Sequence, residues 1–397
     1  MSVTMPGSEL IERGERRLGW IRSRMRLLAA ARAAFEQSKP FAWHRIGVSI
    51  HLEPKTAVLL EVLAAGGAEI VATGNHGSTQ DDIVAVLRSQ GMTIFGARDD
   101  TLDQHHANLA SVLDSEPDII LDNGADLIAG LVGRGNAATI IGGTEETTSG
   151  GDRLRGELRG AVPFPVIVIN DSLLKAIGEN RHAVGQSVVE SFMRITNLMV
   201  PGRRFVVAGY GWCGRGVAQY LRALGGRVAI AEIDELKAFE AALDGYRIAP
   251  MADLAGWGET FITATGHPDV LGAKDFERME SGTVLANCGH FAWEIDVAAL
   301  KAAASNVVQV DEAIERIEFG DGRHLILIAE GRMFNLAGRE PKGNSLESMD
   351  LGFLLQALSL ERVATDRTAL EPGAQPVPDD LNREIARRVV AAMAAHL

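Results

Sequence analysis

A glycine-rich run near the middle of the chain carries the most specific chemistry in the sequence. The run Gly209-Tyr-Gly211-Trp-Cys-Gly214 has the spacing G-x-G-x-x-G, follows an apolar stretch and precedes a helical pattern. Glycines permit a tight turn and a close backbone approach to a pyrophosphate, which a helix N-terminus favours. Glu232 ends the next apolar stretch, where a carboxylate accepts hydrogen bonds from ribose hydroxyls and repels a 2′-phosphate. The pattern therefore predicts an NAD site rather than an NADP site.

The elements that must position this site are short apolar stretches that alternate with helical patterns. They lie at residues 45–50, 68–72, 92–95, 119–121, 138–141, 166–169, 204–208, 228–231, 260–263, 283–285 and 307–310. Strands that alternate with helices of about 10–15 residues favour βαβ units and a parallel sheet. We therefore predict an α/β fold with two doubly wound parallel-sheet domains, one of which is a Rossmann NAD-binding domain.

The order of these stretches predicts the domain boundaries. We predict a substrate or catalytic domain over residues 1–186, to which the segment 339–364 returns. The Rossmann domain is predicted over residues 187–338, which begin with a long helical stretch. Residues 365–397 are predicted to form a proline-rich linker, at 372–378, and a final amphipathic helix.

Composition restricts the partners and the compartment. The chain has 397 residues, and 39 Lys and Arg against 52 Asp and Glu give a formal net charge of −13. This balance argues against nucleic acid and anionic membranes as partners, since both attract basic surfaces. The two cysteines, Cys213 and Cys288, allow no disulfide framework, and the N-terminus has no secretory signal, so we expect a cytoplasmic protein. No spacing of Cys and His residues indicates a metal site.

From about residue 23 onward, the sequence resembles the S-adenosylhomocysteine hydrolase family. The matching motifs are Ser78-Thr-Gln-Asp81, Gly142-Gly-Thr-Glu-Glu-Thr-Thr-Ser149, Asn170-Asp-Ser-Leu-Leu-Lys175, Val207-Ala-Gly-Tyr-Gly211, Ala231-Glu-Ile-Asp234, Asn287-Cys-Gly-His-Phe291 and Ala329-Glu-Gly-Arg-Met-Phe-Asn-Leu336. The resemblance implies an enzyme that holds NAD and uses it catalytically. Such an enzyme oxidises the 3′-hydroxyl of the substrate ribose, releases homocysteine from the 5′ carbon, adds water and reduces the ketone again.

The resemblance also implies catalytic residues at matching positions. Lys175 matches a lysine beside the 3′-hydroxyl, where a lysine can act as a base. His51 and His290 match histidines suited to proton transfer at the 4′ and 5′ positions. Asn180 matches an asparagine that lines the site, and Glu179 stands where the family has an aspartate.

Further matching positions imply contacts with the ribose and the cofactor. Glu146 and Thr147 match ligands of the ribose hydroxyls, and Asn335 matches a ligand of the nicotinamide carboxamide. The other positions that we expect to contact the cofactor are Thr148, Ser149, Thr263, Thr265 and Asn287.

Departures from the family are concentrated where it recognises adenine and the leaving thiol. Glu53 and Lys55 stand where the family has Thr and Glu, and Lys342 stands where it has His. Asn123 replaces an aspartate on the leaving-group side, and an amide cannot relay a proton as a carboxylate can. A site built to hydrogen-bond one ligand rejects another that leaves buried polar groups unpaired, by a factor of about 10⁴. We therefore expect these four residues to contact a substrate whose base is recognised differently.

The C-terminus departs from the family as well. The family's last helix continues into an extension whose Lys and Tyr reach a neighbouring subunit's NAD site. This chain stops at His396-Leu397 without them. We expect a homo-oligomer that is either a dimer or a tetramer.

Three functions are open on these grounds. The first is an NAD-dependent enzyme that keeps the ribose-oxidising machinery but acts on another nucleoside-type substrate, with Lys55 and Lys342 meeting anionic or carbonyl groups. The second is S-adenosylhomocysteine hydrolysis, with release of homocysteine and adenosine, in a divergent pocket. The third is a non-catalytic relative that binds NAD or a nucleotide and regulates another protein.

Overall fold

The computed structural model describes residues 7–338 and 341–394, and these form two compact units. Unit 1 consists of the described residues within Met1–Lys175 and Leu346–Leu397, and unit 2 consists of those within Ala176–Ser345. Unit 2 is therefore inserted between two segments of unit 1. The expectation about the chain end concerns residues 395–397, which lie outside the described residues.

Unit 1 is built on a seven-stranded sheet whose strands are separated by helices. Numbered along the whole chain, its strands are β1 Arg45–Ser49, β2 Glu69–Thr73, β3 Thr93–Phe95, β4 Ile119–Asp122, β5 Gly142–Glu145, β6 Pro165–Val168 and β15 Gly373–Pro376. Its helices are α1 Gly7–Arg24, α2 Arg26–Ser38, α3 Pro54–Ala65, α4 Asp81–Ser89, α5 Leu102–Asp114, α6 Asp126–Arg134, α7 Thr148–Arg155, α8 Leu173–Lys175, α15 Leu346–Thr365 and α16 Asp379–Ala394. Short 3₁₀ turns lie at Ala137–Thr139 and Ile169–Asp171.

The topology of this sheet creates a crevice at one edge. The strand order is β3-β2-β1-β4-β5-β6-β15, and all neighbouring strands run parallel. The order reverses between β1 and β4, so the connections that follow these two strands leave in opposite directions. Ligands of open α/β sheets bind at such a reversal, outside the carboxyl ends of the strands.

The core of unit 1 contains a helix that is buried on all sides. Every residue from 348 to 360 in α15 is buried, including the polar side chains of Asp350 and Gln356. A helix buried in this way belongs to the interior of a domain rather than to its surface. The Asp350 carboxylate accepts hydrogen bonds from the amides of Leu27 and Leu28 at 2.8 and 2.9 Å. It thereby satisfies free N–H groups at the start of α2.

Unit 2 is built on an eight-stranded sheet. Its strands are β7 Arg204–Ala208, β8 Arg227–Ala231, β9 Arg247–Ile248, β10 Thr260–Thr263, β11 Val284–Asn287, β12 Asn306–Asp311, β13 Ile314–Glu318 and β14 His324–Ile328. Its helices are α9 Val184–Thr196, α10 Trp212–Ala223, α11 Glu235–Leu243, α12 Met251–Leu254, α13 Ala273–Phe276 and α14 Val297–Ala302. A π-helix at Ala176–Ala183 and 3₁₀ turns at Ala329–Gly331 and Phe334–Leu336 complete the unit.

Unit 2 has the Rossmann strand order, extended by two antiparallel strands. The sheet runs β12-β13-β14-β11-β10-β7-β8-β9, and β12, β13 and β14 form an antiparallel meander. Our sequence-based prediction was a parallel sheet throughout. Only Glu312 and Ala313 separate β12 from β13, whereas parallel neighbours need a crossover of about a dozen residues or more. The predicted α/β fold with two sheet domains is confirmed. The sheet of unit 2 is mixed rather than wholly parallel.

Two local predictions in unit 1 are wrong. The apolar stretch 138–141 is not a strand, because β5 begins at Gly142. A Cβ on Gly143 would lie 2.6 Å from the carbonyl oxygen of Ile120, so this strand needs glycine where a sequence pattern favours branched residues. The predicted linker at 372–378 contains β15, which pairs with β6. Prolines fit β15 because it lies at the edge of the sheet.

The chain enters unit 2 earlier than the predicted boundary at residue 186. The π-helix Ala176–Ala183 and α9 belong to unit 2, against α10. A Cβ on Gly216 of α10 would lie 1.8 Å from the carbonyl oxygen of Arg181. This close approach explains why the segment belongs with the Rossmann strands that follow it.

The chain returns to unit 1 at Leu346 and stays there. The predicted return over 339–364 begins on residues 339 and 340, which lie outside the described residues. The predicted separate region 365–397 packs into unit 1 over its described part. Ser172 Oγ donates to Asn382 Oδ1 at 2.6 Å, which ties α16 to the loop after β6. None of the helices within 7–338 and 341–394 is long and apolar enough to cross a membrane.

Candidate active site

The glycine turn of unit 2 connects β7 to α10. Gly209 has a φ of +94°, which L-residues rarely adopt. A Cβ on Gly214 would lie 2.0 Å from the carbonyl oxygen of Gly209, so only glycine fits there. A Cβ on Gly211 would meet no protein atom within 4 Å, and this residue is the N-cap of α10. The turn therefore leaves open space in front of a helix N-terminus, where a pyrophosphate is favoured.

Glu232 lies beside this turn, directly after β8. Its Oε2 accepts a hydrogen bond from the amide of Tyr210 at 2.6 Å. Its Oε1 accepts from the amides of Ile233 and Asp234 at 2.8 and 3.0 Å. These contacts fix the carboxylate at the end of β8, where an acceptor for ribose hydroxyls belongs in a Rossmann domain.

The loops after β10 and β11 are joined by two buried side chains. Glu294 accepts hydrogen bonds from the amide and hydroxyl of Thr265, at 2.9 and 2.8 Å, and from the amide of Gly266 at 2.9 Å. Asn287 accepts from Thr263 Oγ1 at 3.0 Å and donates to the carbonyl of Phe291 at 2.8 Å. Both donor and acceptor atoms of Asn287 are thus engaged inside the protein, which is typical of a residue that shapes a loop.

The side-chain oxygen of Asn335 is buried and accepts no hydrogen bond from another described residue. The residue is 5% exposed, and its Nδ2 donates to Ser187 Oγ at 3.1 Å. A buried amide oxygen costs free energy unless it finds a donor, and a nicotinamide carboxamide supplies one. The glycine turn, Glu232 and Asn335 therefore fit NAD.

In unit 1, a buried ion pair occupies the carboxyl edge of the sheet. Lys175 Nζ contacts Glu146 Oε1 and donates to the backbone carbonyl of Glu146 at 2.9 Å. Gln356 Nε2 donates to the other carboxylate oxygen, Glu146 Oε2. The side chains are 3%, 5% and 0% exposed for Lys175, Glu146 and Gln356. Burial strengthens such contacts and makes each partner costly to remove.

The residues after Glu146 form the N-terminus of α7. Thr147 is the N-cap, and its Oγ1 accepts from the amide of Gly150 at 2.9 Å and lies 3.1 Å from Ser149 Oγ. Thr148 is exposed, and its Oγ1 accepts from Asn170 Nδ2 at 2.6 Å. Hydroxyls therefore cluster beside the buried Glu146.

At the reversal between β1 and β4, side chains from three loops meet. His51 Nδ1 lies 2.7 Å from Ser78 Oγ, and Ser78 Oγ donates to the carbonyl of Asn75 at 2.8 Å. Asn75 Nδ2 donates to Asn123 Oδ1 at 3.1 Å. His51 and Asn123 follow β1 and β4, so both predicted residues lie at the position expected for a ligand.

A second charged pair lies at the start of α3. Lys55 Nζ is 3.1 Å from Glu53 Oε2. Lys55 is 4% exposed and belongs to the first turn of the helix, whereas Glu53 is the half-buried N-cap. A helix N-terminus favours anions over cations, and the carboxylate of Glu53 offsets the unfavourable position of the Lys55 ammonium.

The other predicted residues lie in unit 2. Glu179 is buried, and its Oε1 accepts from Asn344 Nδ2 at 3.4 Å. Asn180 is half-buried, Lys342 is exposed, and the exposed His290 packs on the ring of Phe291 with centroids 4.8 Å apart. No group of three His, Cys, Asp or Glu side chains in the described ranges could hold a metal ion.

Sequence analysis missed Gln356, Glu145 and Glu294 as site-supporting residues. Gln356 is a polar residue in an apolar helix, which is the one local signal of its role. Glu145 is adjacent to Glu146 but accepts different hydrogen bonds, from Gly124, Ala125 and Thr147. Burial raises the pKa of Glu145 to about 7. Glu294 lies three residues beyond the motif that ends at Phe291, and only its contacts with the loop after β10 reveal its role.

Comparison with known proteins identifies the same family in both units. The family model for S-adenosyl-L-homocysteine hydrolase matches residues 7–137, and the model for the NAD binding domain of that enzyme matches residues 180–340. The S-inosyl-L-homocysteine hydrolases of Methanopyrus kandleri and Methanosarcina mazei are each 42% identical over 98% of this chain, and over 92% and 95% of their own lengths. The adenosylhomocysteinase of Archaeoglobus fulgidus is 39% identical over 97% of this chain and 95% of its own length.

These similarities cover nearly the whole chain and include the NAD-binding unit. They confirm the predicted cofactor, NAD, and the prediction that the protein is an enzyme. Its activity is that of an NAD-dependent hydrolase of the adenosylhomocysteinase type. The chain belongs to the S-adenosyl-L-homocysteine hydrolase family.

Proposed function

We propose that this protein hydrolyses S-inosyl-L-homocysteine, with transient oxidation of the ribose 3′-hydroxyl. The observation that carries the choice of base is the Glu53–Lys55 pair at the start of α3. Glu53 and Lys55 replace the Thr and Glu with which the family contacts adenine. Several relatives that cover almost the whole chain have the name S-inosyl-L-homocysteine hydrolase, which supports the same substrate.

The two purines differ in the polarity of one edge. Adenine has a donor, the amino group at C6, beside an acceptor at N1, whereas hypoxanthine has an acceptor at O6 beside a donor at N1. An ammonium group only donates and an ionised carboxylate only accepts. We place the C6 substituent of the purine at Lys55 and N1 at Glu53, so that the ammonium donates to O6 of hypoxanthine and the carboxylate accepts the N1 proton. Adenine would set its amino group against the Lys55 ammonium, two donors facing each other.

Burial makes this discrimination strong. Lys55 is 4% exposed, and its charge is held close to the Glu53 carboxylate in a region with little water. A base that turned a donor toward Lys55 or an acceptor toward Glu53 would gain no hydrogen bond from this pair, and a site built to hydrogen-bond one ligand rejects a mismatched ligand by a factor of about 10⁴. The presence of Glu53 and Lys55 in place of the family's Thr and Glu thus supports a 6-oxopurine over a 6-aminopurine.

The ribose end of the site supports the oxidation step. Bound NAD⁺ supplies a hydride acceptor. Glu146 accepts hydrogen bonds from the ribose hydroxyls, and Gln356 keeps its carboxylate oriented. Lys175, held at Glu146, is the proposed base for the 3′-hydroxyl proton, and it acts in this way as the neutral amine, after its ammonium group has released a proton. His51, which contacts Ser78, and His290 are the candidates for moving protons at the 4′ and 5′ positions.

Thiol release from two substrates tests the proposal. We expect kcat/KM for S-inosyl-L-homocysteine to exceed that for S-adenosyl-L-homocysteine by about 100-fold or more, from the mismatch of buried polar groups. The double variant Glu53→Thr with Lys55→Glu is expected to reverse the preference. Equal or better turnover of the adenosyl compound by the unaltered protein would overturn the proposed substrate and favour adenosylhomocysteinase activity, as in the Archaeoglobus fulgidus relative.

The expected homo-oligomer and the cytoplasmic location stay predictions. Light scattering on the purified protein distinguishes a dimer or tetramer from a monomer. Fractionation of cells that express the full chain tests the compartment.

A further inference from the structure

Two carboxylates end neighbouring strands of the unit 1 sheet. Asp122 is the last residue of β4 and Glu145 is the last residue of β5, and the two residues are direct partners in the parallel register. Both side chains are 0% exposed. Asp122 directly precedes Asn123, and Glu145 directly precedes Glu146. Each carboxylate therefore belongs to the sequence neighbour of a predicted substrate residue.

Glu145 holds two loops through four donors. It accepts hydrogen bonds from the amides of Gly124 at 3.0 Å, Ala125 at 2.9 Å and Thr147 at 2.7 Å, and from the hydroxyl of Thr147 at 2.7 Å. Ala125 is the N-cap of α6 and Thr147 is the N-cap of α7. Four donors and two helix N-termini favour an ionised carboxylate at this position.

Asp122 has fewer donors in the same surroundings. Its oxygens accept from the amides of Asn123 at 3.0 Å and Ile128 at 2.9 Å. Two adjacent buried carboxylates do not both ionise readily, because like charges repel strongly where water is excluded. Burial raises the pKa of Asp122 well above its ordinary value, and Glu145 raises it further. Asp126 also raises the pKa of Asp122, and its carboxylate accepts a hydrogen bond from Arg153 at 2.7 Å.

We propose that Glu145 is a positioning residue of the substrate site, which carries the negative charge of a buried pair while Asp122 carries the proton. Its carboxylate joins the loop that contains Asn123 to the loop that contains Glu146 and Thr147. The identity of these loops as substrate loops rests on the proposed function. The assignment of charge and proton within the pair does not.

The packing around Glu145 agrees with a fixed position. A Cβ on Gly150 would lie 2.1 Å from the carboxyl carbon of Glu145, so the first turn of α7 closes directly over the group. The carboxylate therefore cannot swing away without moving α7. An amide in its place would turn an NH₂ group toward N–H donors and lose one or two of the four hydrogen bonds.

Two isosteric variants of the full, NAD-loaded protein test the inference. Glu145→Gln is expected to increase amide hydrogen exchange in both loops, residues 123–128 and 146–150, and to raise KM by about tenfold or more, since buried donors are left without acceptors. NAD content and kcat are expected to change much less. Asp122→Asn is the matched variant, and it is expected to change exchange and KM less than Glu145→Gln, because it resembles the protonated acid.

Infrared spectroscopy provides a readout that does not depend on activity or on the folding of Glu145→Gln. At about pH 8, above the pKa of about 7 that burial gives Glu145, the unaltered protein is expected to have a protonated-carboxyl band that Asp122→Asn removes. Absence of that band, or a larger effect of Asp122→Asn than of Glu145→Gln on exchange and KM, would overturn the inference. If the unaltered protein released thiol from neither thioether, the proposed function would fail, while the exchange and infrared results would still decide the state of the pair.

Discussion

The two units share a strand order but offer different kinds of group at the same edge of the sheet. Their six common strands follow one order, β3-β2-β1-β4-β5-β6 in unit 1 and β9-β8-β7-β10-β11-β14 in unit 2. At this edge, unit 2 presents a glycine turn, whose open face at Gly211 leaves backbone amides accessible. Unit 1 presents buried charged side chains, above all Glu146 and Lys175.

This difference has a physical cause in the two ligands. A pyrophosphate is an anion that backbone amides and a helix N-terminus can bind, so glycines that clear space are sufficient. Chemistry at a ribose carbon needs groups that move protons, and only side chains supply them. We therefore propose a division of tasks, in which the glycine turn of unit 2 retains NAD and Lys175 and Glu146 of unit 1 act on the ribose 3′-hydroxyl.

The largest effect is expected for a variant of Lys175, which should lower activity without loss of NAD. Lys175→Met is expected to lower kcat by about 10³-fold, because the proposed base for the 3′-hydroxyl proton is lost. NAD content per chain is expected to stay near that of the unaltered protein. Thiol-release kinetics and NAD measured after denaturation check both points, and Lys274→Met, at an exposed position, is the matched control. Loss of NAD together with activity would contradict the division.

A second pair of variants tests the glycine turn of unit 2. Gly214→Ala places a Cβ 2.0 Å from a carbonyl oxygen, so we expect lower thermal stability and loss of bound NAD. Gly211→Ala meets no protein atom within 4 Å, so we expect near-normal stability of the NAD-free protein with weaker NAD binding. Thermal unfolding with and without NAD measures both. Equal behaviour of the two variants would show that close packing is not the reason for glycine at position 214.

The smallest effect concerns a buried carboxylate of unit 1 away from the ribose site. Burial raises the pKa of Asp350 from 3.8 to about 6. Between these values the folded protein keeps a proton that the unfolded chain has released, so stability falls as pH rises from about 4 to about 6 and then levels off. The contribution is at most about 3 kcal/mol. Denaturant unfolding across this range is expected to lose that slope in Asp350→Asn, and an unchanged slope would assign it to other groups.

The cofactor half was predictable because its determinants are consecutive. The run from Gly209 to Gly214 and the following Glu232 specify turn, helix start and ribose acceptor within one βαβ unit. Most strands were predicted for a similar reason, since buried parallel strands are short apolar runs. The prediction failed at β5, where packing against Ile120 requires glycine and removes the apolar signal, and it did not include β9, β13, β14 or β15.

The substrate half was not predictable from local patterns. Glu146 and Lys175 are 29 residues apart, and Gln356 is 210 residues from Glu146. Family resemblance supplied the first two residues, but no spacing rule relates the third to them. The same limit applies to Asp122 and Glu145, whose proximity depends on the pairing of β4 with β5. The contact between Lys55 and Glu53 likewise depends on the backbone conformation at the start of α3.

The insertion of unit 2 within unit 1 has a consequence for synthesis. The helix α15, whose residues 348–360 form part of the centre of unit 1, is translated only after the whole of unit 2. Strand β15 is made later still. Domains fold as units while the chain emerges from the ribosome. Unit 2 is therefore the first part whose sequence is complete, and the 175 residues made before it must wait, with an unfilled core, for the chain to return.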